Sequence, residues 1–154
     1  MTASKSERPG VPPMEIRAAQ PGDADVIKAF DEIARVNAER GAFICRSIAS
    51  GECFVVVVDG RAVAYVVMTY KADGGGFVGM LYVQSEFRRR GFGSALMSHV
   101  ERLCQSPQLF TSTNRSNKAM QSLLTKLGYI AAGLIGNPAE VDPELRFMKH
   151  LVIF

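Results

Sequence analysis

The sequence has no tryptophan, two histidines and three cysteines in 154 residues, and each shortage removes a class of function. Cys45, Cys53 and Cys104 are odd in number, far apart and set in apolar segments. They read as reduced thiols of a cytoplasmic protein, in the core or at its boundary, and not as a disulfide framework. His99 and His150 have no Cys or His partner at ligand spacing, so no metal site is expected. No apolar run, Cys53 to Val58 among them, approaches the length of a membrane span, and no membrane association is expected. Residues 1–13 lack the apolar stretch of a secretory signal. Rich in Ser, Pro, Gly and charge, they are expected to form a disordered tail. Net charge is also small, at +3, which argues against wholesale nucleic-acid binding and directs attention to local clusters of basic residues.

What is present is a chain long enough for one domain with a sizeable core, expected over residues 14–154. Met14 to Ala18 alternates like a strand. Pro21-Gly22-Asp23 punctuates, and Asp23 is placed to cap a helix with Val26, Ile27, Phe30 and Ile33 on one stripe. A second helix is expected from Arg40 to Ala49, with Phe43, Ile44 and Ile48 inward and Gly51 at its end. Cys53–Val58, the Asp59-Gly60 turn and Arg61–Tyr70 read as a hairpin, because Asp-Gly supplies the left-handed pair that a tight turn needs. Phe77 to Val83 reads as a buried strand. Ser94 to Cys104 is patterned as an amphipathic helix, its apolar face running from Phe92 through Leu96 and Val100 to Leu103. A short strand from Leu109 to Thr113 leads through Asn114–Asn117 into a helix with Met120, Leu123, Leu124 and Leu127, closed by Gly128. Strands at Tyr129–Leu134 and Leu145–Ile153 flank the polar loop 136–144. The predicted order is βααβββαβαββ, an α/β (mixed α+β) fold with a sheet flanked by helices.

Between the buried strand and the amphipathic helix lies Arg88-Arg89-Arg90-Gly91-Phe92-Gly93. Backbone N–H groups at a helix start have no intrahelical acceptor. With the helix dipole and three arginines they make a seat for a phosphate-bearing ligand, and glycines let the backbone come close to it. No Lys-Ser or Lys-Thr follows Gly93, which excludes a P-loop, and Leu96 stands where a dinucleotide fingerprint needs its third glycine.

The pattern R-x-x-G-x-G at a strand-to-helix junction resembles the GNAT acyltransferase family, whose (Q/R)-x-x-G-x-(G/A) motif binds the pyrophosphate of acetyl-CoA. The resemblance runs from about Met14 to the C-terminus, and Leu81 to Cys104 carries most of it. It implies a twisted, largely antiparallel mixed sheet that splays between its fourth and fifth strands, with the first two helices lining the acceptor pocket. It implies acetyl-CoA as co-substrate, and transfer to an amine by direct attack through a tetrahedral intermediate. On this reading Leu81, Tyr82 and Val83 meet the donor through their main chain, and the N–H of Tyr82 or Val83 stabilises the oxyanion. Arg88, Arg89, Arg90, Gly91, Phe92, Gly93 and Ser94 hold the pyrophosphate, and Asn114 and Asn117 are further contacts to CoA.

The match has gaps. Many relatives carry a tyrosine acid seven residues after the asparagine, where this chain has Leu124. N-terminal acetyltransferases of the family often carry a glutamate base five residues before it, where this chain has Ser112. A thiol of pKa about 8.5 leaves tolerably without an acid, whereas an amine near about 10.4 must first lose a proton. Tyr82, Glu52 and water relayed to the polar loop are the candidates for that step, and Glu140, Asp142 and Glu144 could attract a cationic acceptor. His99 falls on the apolar face of its helix and is read as a packed residue. An idle acyl-CoA-binding module is the alternative function. An RNA-binding domain is disfavoured because no aromatic platform accompanies the arginines. The sequence leaves the acceptor and a homodimer open.

Overall fold

The computed structural model describes residues 14–137 and 139–152. Seven strands run as β1 (Met14–Ala18), β2 (Cys53–Val58), β3 (Arg61–Tyr70), β4 (Gly76–Val83), β5 (Gln108–Asn114), β6 (Ile130–Ile135) and β7 (Glu144–His150). Four helices, α1 (Asp23–Phe30), α2 (Ala38–Ala49), α3 (Phe92–Leu103) and α4 (Lys118–Lys126), complete the expected order, with one added 3-10 turn at Ser85–Phe87. The strands form a seven-stranded sheet in the order β1-β2-β3-β4-β5-β7-β6. Neighbours are antiparallel at β1–β2, β2–β3, β5–β7 and β6–β7, and parallel at β4–β5.

The described residues divide into two compact units, the first comprising those up to Val67 with Met80–His99. Its centre is the β2–β3 hairpin, whose turn residues Asp59 (φ 51°) and Gly60 (φ 77°) are both left-handed, as this tight turn requires. Both strands are apolar almost without interruption because both faces are covered. On one face Val55, Val57, Ala62, Tyr65 and Val67 pack with Ile27 and Phe30 of α1 and Ile44 and Ile48 of α2. A bulge between Val56 and Val57 changes the pairing from Val56 with Ala64 to Val57 with Ala62, which brings Ala62 onto the same face as Tyr65. On the other face Phe54 meets His99 of α3 at 5.2 Å between ring centroids.

Three local expectations change. Asp23 is the first residue of α1 and not its cap; Gly22 occupies that position. The Asp23 carboxylate instead accepts from the Gln20 N–H and from both terminal nitrogens of Arg17. α1 stops at Phe30, because the Asp31 carboxylate accepts from the N–H groups of Ile33 and Ala34 and turns the chain away; Ile33 is left exposed. α2 begins earlier than expected, at Ala38, capped by the Asn37 side chain on the Arg40 N–H.

The second unit holds Met68–Gly79 and the chain from Val100 on. β4 pairs with β5 only from Gly76 to Val78, and the buried Thr111 hydroxyl donates to the Val78 carbonyl where that pairing ends. α4 buries Leu124 fully, while Met120, Leu123 and Leu127 are half-buried and not full core. Gly128 (φ 94°) follows the end of α4, as expected for a glycine after the last helical turn. Leu103, expected inside, is exposed. β7 ends at His150, and Ile153 lies outside the described residues.

Candidate functional site

The expected buried strand β4 is buried only at Gly76 and Val78; Gly79 is exposed and Met80–Val83 are half-buried. Alternation puts Met80 and Tyr82 against the α1–α2 core and Leu81 and Val83 on the opposite face. At its end the strand is tied in place, because the Gln84 N–H donates to the Val63 carbonyl at 2.8 Å. The 3-10 turn follows and delivers Arg88, whose Nε returns to the Val83 carbonyl at 2.9 Å.

From there the backbone alternates in hand. Arg88 has φ −72° and ψ 156°, whereas Arg89 (φ 64°) and Gly91 (φ 84°) are left-handed. An extended Arg88 followed by two left-handed positions within three residues turns the chain sharply into the start of α3. The left-handed region is costly for an arginine, so Arg89 marks a loop whose shape is imposed. A Cβ on Gly91 would meet nothing within 4 Å; that glycine serves the φ angle. The first intrahelical bond of α3 runs from the Ala95 N–H to the Gly91 carbonyl, so the N–H groups of residues 92–94 precede the helical ladder. α3 has no acidic residue in its first turn, and its positive end is therefore uncompensated.

Arg88 and Arg90 are held but not neutralised. Arg88 stands 5.3 Å from the centroid of the Tyr82 ring and Arg90 5.3 Å from that of Phe87, while Phe87 leans on the buried Phe92. None of the three arginines pairs with a carboxylate among the described residues. Leu81 through Ser94 thus bring together, in the first unit, the greater part of the residues expected to bind the donor.

Next to Tyr82 lies a cluster that sequence reasoning missed. Asp31, fully buried, takes the Tyr65 hydroxyl at 2.6 Å and Arg40 Nε at 2.9 Å on one oxygen. Its other oxygen takes the N–H groups of Ile33 and Ala34. Burial and the bond to Asp31 push the Tyr65 phenol well above its ordinary range, so it stays a neutral donor. Arg40 also lies 5.8 Å from the Tyr82 ring centroid, and the Tyr82 hydroxyl accepts from the Glu32 N–H at 3.2 Å. Asp31 is separated by 34 positions from Tyr65 and nine from Arg40, so no local motif announces the group. An aspartate at the end of an apolar helical stripe was the one available sign.

Glu52 lies elsewhere. It precedes Cys53, which pairs with Val67, at the far end of the hairpin from the Asp59-Gly60 turn, and its carboxylate takes the Ser50 hydroxyl at 2.7 Å. Burial pushes the Cys53 thiol up to about 12, so it is inert.

In the second unit Asn117 caps α4, its side chain accepting from the Met120 N–H. The Asn114 side chain donates to the Asp142 carbonyl at 3.1 Å. Asp142 is bound by the Ser116 hydroxyl and N–H, which hold its carboxyl below the usual range. Glu140 accepts from the Asn137 N–H. Two of the three loop acids are therefore engaged in shaping the loop. Ser112 pairs with Arg146 in the β5–β7 register, and Leu124, at the position of many relatives' tyrosine, is fully buried. A tyrosine there would have to overpack the core. Among the described residues no three side chains group to hold a metal ion, and no helix is long and apolar enough to cross a membrane.

Known proteins match the chain in family and fold. The family model described as "Acetyltransferase (GNAT) family" matches residues 20–129. A GNAT-family acetyltransferase from Bacillus cereus is similar at 28% identity and TM-score 0.82, over 91% of this chain and 99% of its own. Ard1 from Thermoplasma volcanium matches at 18% identity and TM-score 0.80, over 91% and 99%. The PaiA N-acetyltransferase from Thermoplasma acidophilum, solved in complex with coenzyme A, matches at 13% identity and TM-score 0.73, over 90% and 99%. No curated protein matches the chain in a sequence comparison.

Proposed function

The chain belongs to the GNAT acetyltransferase family, and from that premise we propose that it moves an acetyl group from acetyl-CoA to an amine by direct attack, in the cytoplasm. The observation that carries the donor assignment is the loop from Arg88 to Gly91: left-handed at two positions, rich in uncompensated arginine, and opening on an acid-free helix start. A pyrophosphate satisfies all three properties together. The half-open end of β4 adjoins it and offers the main chain of Leu81, Tyr82 and Val83 to the amide-rich arm of the donor. PaiA, with coenzyme A bound to the same fold, supports this choice of ligand.

Acetyl-CoA supplies a thioester whose carbonyl oxygen gains charge as the amine adds. The N–H of Tyr82 or Val83 is the candidate donor to that oxygen. For proton removal from the amine Tyr82 is preferred to Glu52 by position, as a relay whose hydroxyl oxygen takes the amine proton while its own proton passes to water. Tyr82 lies on the site strand, with its hydroxyl oriented by the Glu32 N–H. Glu52 sits at the other end of the hairpin, engaged by Ser50. Asn117 keeps room for a second role, since capping uses its side-chain oxygen and leaves the amide nitrogen available. With leucine at 124, where many relatives carry a tyrosine, the thiolate leaves without that acid.

That same absence favours, as the second reading, a module that binds acyl-CoA without turnover. Release of CoA thiol over a panel of small amines and peptide N-termini, run beside calorimetry with acetyl-CoA, separates the two. Turnover with any amine supports the enzyme; micromolar binding with no turnover across the panel supports the module; no binding refutes both.

A further inference from the structure

We propose that Arg40 is a positioning residue for the donor site: anchored by Asp31, it acts through the Tyr82 ring on Arg88. The proposal rests on the donor-binding reading of the arginine loop. Its basis is a continuous set of contacts within the first unit. Asp31 holds Arg40 Nε at 2.9 Å. The Arg40 guanidinium lies 5.8 Å from the Tyr82 ring centroid and that of Arg88 5.3 Å from the same ring. Arg88 in turn holds the Val83 carbonyl at 2.9 Å. Phe30 and Tyr65 stack on Tyr82 with centroids 6.2 and 6.3 Å away, so the ring is held in place for both guanidinium contacts.

Stability alone does not account for this arrangement. An ion pair whose carboxylate is fully buried, with only 14% of the arginine side chain exposed, loses hydration that apolar residues of the same size would not lose. The pair also differs in kind from the cation on the other side of its chain of contacts. Arg40 has its counter-charge in Asp31, whereas Arg88 has none among the described residues. Two guanidinium groups on one ring repel each other. The one that is free of a carboxylate is the one placed to receive an anion. Arg40 thus biases Arg88 toward the loop and fixes the end of β4 through Val83.

The test is calorimetric titration of the full chain with acetyl-CoA, using Arg40→Gln, Arg40→Lys, Arg88→Ala and the Arg40→Gln/Arg88→Ala pair, with thermal midpoints measured in parallel. Arg88→Ala should weaken binding roughly tenfold; unchanged affinity there sinks the donor-site reading itself, and the present proposal with it. Arg40→Gln should weaken binding about fivefold when Arg88 is present and less than about twofold when it is absent, the signature of coupled residues. Equal losses in both backgrounds, or none, overturn the proposal while leaving the donor site standing. Arg40→Lys keeps a charge beside Asp31 but lacks the planar face. It should restore the thermal midpoint and leave affinity low. Full recovery of affinity with lysine would reduce Arg40 to a counter-ion and overturn the proposal, even if the Gln variant proves too unstable to titrate.

Discussion

β2 and the last five residues of β4 are almost equally apolar, Phe54–Val58 against Gly79-Met80-Leu81-Tyr82-Val83, yet they have opposite fates. Val55 and Val56 are completely buried and Val57 and Val58 nearly so, whereas Gly79 is exposed and Met80 to Val83 are half-open. The difference lies in the neighbours. β2 runs between β1 and β3 with side chains packed on both faces. β4 is paired to β5 at Gly76–Val78 only and then passes into the arginine loop. An apolar strand covered on both faces is a core element; one left half-open beside a cationic helix start is suited to take a ligand.

The contrast breaks most sharply at the loop. Gly93→Glu should reduce acetyl-CoA affinity by more than about 100-fold through charge and bulk in the anion seat. The fold should survive, since a glutamate suits the first turn of a helix. Calorimetry showing wild-type affinity would remove the functional half of the contrast. Val67→Ala on β3 should cost about 2 kcal/mol in urea unfolding through its cavity and leave ligand affinity unchanged. Leu81→Ala on β4 should cost under about 1 kcal/mol, as expected for a half-exposed site, and weaken binding instead. Equal destabilisation by the two variants would mean that the half-open end of β4 is as tightly packed as the hairpin. Asn117→Ala should lower stability by about 1 kcal/mol by removing the α4 cap; a concurrent loss of acetyl-CoA affinity in the same protein would add the ligand contact to the cap.

The smallest effect concerns Asp23, whose carboxyl the Arg17 hydrogen bond holds below its ordinary value against the opposing effect of burial. A depressed folded-state value contributes stability above the unfolded value, near about 3.9, that is lost as pH falls through the folded one. Asp23→Asn should therefore flatten the acid limb of a stability-versus-pH curve below about pH 4 and leave the site untouched. An unchanged acid limb would show that the ion pair is neutral for folding.

Much of the fold was legible from local chemistry. The Asp59-Gly60 turn, the alternation of Met14–Ala18 and the glycine after α4 each need only a few adjacent residues. Arg88 to Gly93 was legible for the same reason, because strand, basic run, glycines and helix follow one another directly. What sequence reasoning missed depends on residues far apart. The early end of α1 depends on Asp31 choosing the N–H groups of Ile33 and Ala34 over continued helix. The Asp31–Arg40–Tyr65 group joins α1, α2 and β3. The half-open state of β4 depends on where its partner strand stops pairing, which no property of Met80 to Val83 records.

By itself, then, the sequence determined the order of elements and the presence of a cationic, glycine-bearing helix start, because each rests on periodicity or on spacing within a single stretch, and the resemblance of that stretch to a known motif pointed to the family. Only the tertiary structure decided that Leu124 is packed inside, that Glu52 sits at the far end of its hairpin, and that Tyr82 shares its ring between Arg40 and Arg88. Those outcomes depend on which faces of different elements meet, and on a buried carboxylate drawing its partners from across the chain.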